Sequence, residues 1–222
     1  MNSSIKNMNK QKGFTLIEIA IVLVIIGLLV GGVLQGQELI ENSRVKQAVK
    51  DMNGTAAAIF AYQDRYGRMP GDDGNAATIN ARGATWASVS AGDADGRLEV
   101  AANRTFSGNA ESGAFWQHLK AAGFISGNPA DAGILTMPTN AWGGLMGVTT
   151  GAIAGGLTGT KVCLSQVPGS SAIAIDNELD DGLGASGRVR ATLGSSGVNT
   201  NPSNAAGPVY SEDNVYTICS RI

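Results

Sequence analysis

Residues Phe14 to Leu34 read FTLIEIAIVLVIIGLLVGGVL, an apolar run in which Glu18 is the only charged side chain. At 1.5 Å per residue a helix of this length spans about 31 Å, close to the hydrocarbon thickness of a bilayer. The segment therefore reads as a membrane-crossing helix. A carboxylate near the middle of such a helix costs about 2.5 to 3.5 kcal/mol. Glu18 lies near one end, which lowers the cost, but it still requires a partner. A secretory signal peptide fits poorly, because the core is long and continues through Gly36 into QELIENSRVKQAVKDM without a small-residue cleavage site. No cysteine follows the core at a lipoprotein processing position. A plain signal anchor is the alternative.

The helical period persists beyond the apolar run. Val45, Val49, Met52, Ala56, Ile59 and Phe60 recur at three- and four-residue steps, with Arg44, Lys46, Lys50, Asp51 and Asp64 mostly on the other side. One helix is expected from about Phe14 to Tyr66, apolar all round to residue 34 and amphipathic over 35–66. Gly67 and Pro70 end it in the expected order. Its stripe needs a cover, which only residues 67–222 can supply.

Composition bounds that remainder. With 31 Gly among 222 residues and 5% aromatics, one long helix and one modest domain fit better than a multidomain enzyme. The formal charge is −2, and Arg68, Arg82, Arg97 and Arg104 are scattered, so no nucleic-acid partner is predicted. Charge leaves orientation open: Lys6, Lys10 and Lys12 before the run are balanced by Arg44, Lys46 and Lys50 after it. Cys163 and Cys219, the two cysteines, predict a disulfide formed outside the cytoplasm, with two separate buried thiols as the alternative.

The string KGFTLIEIAIVLVIIGLL resembles the cleavage and methylation segment of type IV prepilins and type II secretion pseudopilins. The resemblance implies a leader over residues 1–13, cleavage by a prepilin peptidase between Gly13 and Phe14 on the cytoplasmic side, and N-methylation of Phe14. It further implies a single-pass protein of the bacterial inner membrane with its C-terminal domain in the periplasm. Its partners would be other pilin or pseudopilin subunits and the filament assembly machinery, within a pilus or a pseudopilus. Cleavage would create an amine one helical turn before Glu18. In a bundle of such helices, the carboxylate of one subunit would neutralise the amine of its neighbour and select one axial stagger. The alternative is a Glu18 that snorkels to the interface. Many type IV pilins carry a proline about 21 residues past the processed end. Gln35 stands there in this chain, which tilts the resemblance toward pseudopilins. MPGDDGNAA, FWQHLKAAGFISG and AIDNELDDGLGASGRVRA resemble segments of one branch of the family.

An α+β fold is expected: a pilin-like long N-terminal helix packed on a small antiparallel sheet within a globular domain over 67–222. Short helices are read at Ser112–Ile125, with Gly123 as its stop, and at Ser170–Asp181, capped by Ser170 and Gly182. Strands are read at Ile134–Met137, Lys161–Val167, Arg188–Leu193 and Val215–Ser220. Residues 67–112 read as irregular, and the cysteines would tie the first strand to the last.

Asp93, Asp95 and Glu99 in GDADGRLE space oxygen ligands around Gly96 as part of a calcium loop does, although no Glu stands at the twelfth place. Asp176, Glu178, Asp180 and Asp181 form a second acidic cluster. For both, a solvated loop or helix end is the competing reading, and calcium is the one cofactor considered. His118, the lone histidine, has no nucleophile arrangement around it and reads as a packing or capping residue rather than a general base. GAIAGGLTGTK departs from a phosphate loop because Val162 follows the lysine, and reads as a flexible loop. The chain thus reads as a structural subunit, major or minor, rather than an enzyme. The alternative from another class is a membrane-anchored periplasmic binding or hydrolytic domain that does not polymerise.

Overall fold

The computed structural model describes residues 13–222. The expected leader therefore lies outside the described residues, apart from Gly13. The chain divides into two units that meet in sequence between Glu41 and Asn42. Helix α1, Leu16–Tyr66, is the long helix expected from the sequence. Its apolar part is exposed at every position from Leu16 to Leu34. That is the burial expected of a helix whose covering lies outside its own chain.

In the second unit, α1 contributes Val45, Ala48, Val49, Met52, Ala58, Ile59 and Tyr62 to the hydrophobic core. Phe60 departs from the expected stripe and is 58% exposed. Tyr62 takes its place, three residues after Ile59 and on the face that Val45, Val49 and Met52 define. Gly67 closes the helix at φ +65, with its N–H donating to Gln63 O at 2.8 Å. This is the left-handed stop that glycine takes without a Cβ penalty.

The segment after α1 is irregular in backbone yet packed. It holds the short helix α2, Ala76–Asn80, and buries Ile79, Trp86, Val89, Leu98, Val100 and Phe106. Helix α3, Glu111–Ala121, is buried on nearly every side. It ends earlier than expected, in a Schellman motif: Gly123 N donates to Lys120 O and Phe124 N to Leu119 O, each at 3.0 Å. Four strands follow: β1 Met146–Thr149, β2 Lys161–Pro168, β3 Val189–Leu193 and β4 Val215–Arg221. They form an antiparallel sheet of order β1-β2-β4-β3. Helix α4, Gly169–Leu179, joins β2 to β3, and Ser170 lies inside its first turn instead of capping it.

The expected strand Ile134–Met137 is a 3-10 turn, Gly133–Thr136. Its apolar residues do not alternate into the core: Ile134 and Leu135 are 55% and 71% exposed, while the Thr136 hydroxyl donates back to Gly133 O. The fourth strand is β1, hidden in the sequence by its flanking glycines. Gly147 belongs there because a Cβ would overlap Thr105 O and Phe106. The loop before β2 is packed, not free: Ile153, Ala154 and Leu157 are buried, and Ala154 N donates to Ser203 O at 2.7 Å.

Cys163 and Cys219 are disulfide-bonded. They are register partners on β2 and β4, the two central strands, so the bond links the second strand to the last and not the first to the last.

Candidate functional site

The start of α1 carries the residues singled out by the sequence. Phe14 is 86% exposed, and a Cβ placed on Gly13 would meet nothing within 4 Å beyond its chain neighbours. Thr15 and Glu18 form a reciprocal capping box, the T-x-x-E pattern that satisfies the orphan donors of a first turn. The Thr15 N–H and hydroxyl donate to Glu18 Oε2 at 2.8 and 2.7 Å, and the Glu18 N–H donates to Thr15 Oγ1 at 3.3 Å. The other carboxylate oxygen, Oε1, has no partner among the described residues. Glu18 is thus oriented by its own helix through one oxygen and leaves the second to accept an external donor. Glu18 stands out in the sequence as the lone charge of the apolar run, whereas Thr15 is marked only by its three-residue spacing from Glu18.

Past α1, the turn MPGDD is held by groups that no single motif displays. His118 Nδ1 accepts from the Gly71 N–H at 2.9 Å, while Nε2–H donates to Ser90 O at 2.7 Å. Both ring nitrogens are used, which fixes the neutral Nε2–H tautomer. Burial pushes the imidazole pKa from 6.5 down to about 4, against the opposing pull of the Ser90 carbonyl and Asp73. Tyr62 stacks on His118 with ring centroids 5.9 Å apart, and its hydroxyl donates to Asp73 Oδ2 at 2.6 Å. Arg82 closes the network bidentately on Asp73, with Nη2 3.1 Å from Oδ1. Burial opposes the Asp73 charge, but Arg82 and Tyr62 hold its carboxyl below the usual range. His118 therefore has the packing role expected of it, with the added task of holding a turn.

The acidic triad read from the sequence is not assembled as expected. The structure gathers Asp93 with Asp72 and Glu111, carboxylate oxygens within 4.8 Å of one another. Asp95 and Glu99 serve the loop differently. The N–H groups of Asp95 and Gly96 donate to the two oxygens of Asp72, and Glu99 N–H donates to Glu111 Oε2. Asp95 Oδ1 accepts from Arg97 N–H at 2.8 Å, an Asx turn. Burial, chiefly, raises the carboxyl pKa of Asp72 and of Glu111. Asp72, Asp93 and Glu111 are the oxygens a hard cation would use here. Asp72 and Glu111 were invisible in the sequence because they lie 21 and 18 residues from Asp93. In the second cluster Asp176, Asp180 and Asp181 come together without Glu178. Tyr210 donates to Asp176 Oδ2, and Arg188 and Val189 N–H to Asp180 Oδ2.

An apolar N-terminal helix that packs its second half on a four-stranded antiparallel sheet, with a capped glutamate at its head, is a pilin-like arrangement. Residues 8–34 match the prokaryotic N-terminal methylation motif. Over 99 residues the chain is 34% identical to the fimbrial protein EcpC of Eikenella corrodens, covering 43% of this chain and 65% of that relative. The match thus spans slightly less than two thirds of the relative's length. No solved structure matches the chain.

Proposed function

We propose that this chain is a structural subunit, a prepilin or pseudopilin, of a type IV pilus-like or type II secretion filament. A prepilin peptidase cuts it between Gly13 and Phe14 and methylates the new Phe14 amine. Before assembly it waits in the bacterial inner membrane, spanning it once through Phe14–Leu34, with the N-terminus cytoplasmic and residues 67–222 periplasmic. The assembly machinery then packs its α1 against other pilin or pseudopilin subunits. The work is structural, not enzymatic.

One observation carries this reading: within the methylation motif, Glu18 is held by Thr15 through a single carboxylate oxygen while the other is unengaged. An oriented carboxylate at the head of an apolar helix suits an amine delivered by a neighbouring helix. An uncompensated charge in a helix bundle costs several kcal/mol, so staggers that leave it unpaired are rejected. The fimbrial relative supports the same reading. Intact-mass analysis of the chain from a host with and without prepilin peptidase tests it. Loss of residues 1–13 plus one added methyl group, dependent on the peptidase, is expected. A chain that keeps its first 13 residues in both hosts overturns the reading and favours an anchored domain that never polymerises.

A further inference from the structure

Beside the end of α1 the domain opens a cleft of about 580 Å³ lined in part by Gln63, Arg68, Arg97, Thr150, Gly159 and Thr160. Two arginines that are 29 residues apart in sequence both line it. Both are exposed, and neither guanidinium has an ion pair or hydrogen bond among the described residues. Two more cations border the same turn. The stem of Arg221 lies over Gly159, its Cδ 3.4 Å from where a Cβ would stand, and the buried Lys161 donates its ammonium to Gly159 O. Among the described residues no carboxylate pairs with Lys161. Burial chiefly, and after it the charge of Arg221, pushes its pKa from 10.5 down to about 8.

This basic cleft sits in a chain with more acids than bases. Elsewhere on the same domain, Glu178 at the end of α4 and Glu212 and Asp213 before β4 are exposed, with no ion pair and no side-chain hydrogen bond among the described residues. Guanidinium pairs bind carboxylates bidentately and do so best in a partly enclosed, polar setting. A chain that carries both the unpaired cations and the unpaired acids, at different places, has the two halves of a heterologous contact, the kind that propagates from copy to copy.

We propose that the Arg68–Arg97 cleft receives an acidic side chain, Glu178, Glu212 or Asp213, from the domain of a second copy of this chain. The proposal rests on the assembly reading above and adds to it a specific contact between domains.

The test uses the full chain in cells that process it. In one arm, Arg68→Glu with Arg97→Glu is expected to lower the yield of sheared filaments about tenfold, the effect of turning one charge pair from attractive to repulsive. Adding Glu178→Arg, Glu212→Arg and Asp213→Arg in the same chain is expected to restore most of that yield. In the other arm, Arg68→Lys with Arg97→Lys keeps the charge and supplies amines. Carbodiimide coupling of those filaments is expected to give dimers whose cross-linked peptides join Lys at 68 or 97 to Glu178, Glu212 or Asp213. This second arm decides the matter alone if the charge-reversed chain does not fold. Filaments that form but yield no such peptides overturn the proposal and leave the assembly reading standing, as does cross-linking to an acid of another protein. A processed parent chain that forms no filaments overturns both.

Discussion

Acid should loosen this domain through His118. The folded state holds the imidazole neutral, with Nε2–H on Ser90 O and Nδ1 accepting from Gly71, and the depressed pKa of about 4 compares with 6.5 for the free group. Between those values the unfolded chain binds a proton that the folded chain does not. Stability from this group is therefore complete above pH 6.5 and falls as the pH drops toward 4. A displacement of this size corresponds to about 3 kcal/mol. Other groups titrate in or near the same range. The carboxyls of Asp72, Glu111 and Asp176, raised mainly by burial, act in the opposite direction, and Asp73 acts lower, below 3.8. Comparison with His118→Phe isolates the histidine. That variant keeps a ring beside Tyr62 but leaves the Gly71 N–H and Ser90 C=O without their partner, a loss of about 2–4 kcal/mol near pH 7.5. Urea unfolding of the full chain in detergent micelles, followed by the fluorescence of Trp86, Trp116 and Trp142, measures both. The gap between parent and variant is expected to shrink by about 3 kcal/mol on going from pH 7.5 to pH 4. Parallel stability curves for the two proteins over that interval would refute the argument.

Arg82→Ala is expected to cost about 2–3 kcal/mol in the same assay, because it leaves the Asp73 carboxylate buried with only the Tyr62 hydroxyl. Cys163→Ser with Cys219→Ser is expected to lower stability by about 4 kcal/mol, the chain-entropy value for a loop of this length, read from the urea midpoint against the oxidised parent. Gly147→Ala is expected to destabilise by about 1–3 kcal/mol, since its Cβ meets the Thr105 carbonyl across the strand, whereas Gly54→Ala, which meets nothing, is expected to be neutral or stabilising.

The parts of the fold legible in the sequence were those encoded by period. The 51 residues of α1 follow from an apolar run that passes into a three- and four-residue stripe, and β2, β3 and β4 follow from short runs of branched residues. Strand β1 was missed because GGLMGVTT puts glycine where a β-branched residue would signal a strand, and the reason for Gly147 is Thr105, a long way off in sequence. The opposite error placed a strand at Ile134–Met137, where branched residues face solvent around a 3-10 turn. At the functional end, Gly13, Phe14 and Glu18 stood out because they fall within a local motif. The groupings of Asp72 with Glu111, of Tyr62 with Asp73 and Arg82, and of Arg68 with Arg97 are made by the tertiary fold and leave no local spacing to read.

The most direct test of the whole account is the yield and subunit register of filaments built from Glu18→Ala chains that are still cleaved at Gly13. The account predicts a collapse in filament yield, with Glu18→Asp less impaired, because without the carboxylate the incoming Phe14 amine enters an apolar bundle unpaired. Filaments of parental abundance and parental axial spacing from Glu18→Ala chains would contradict it.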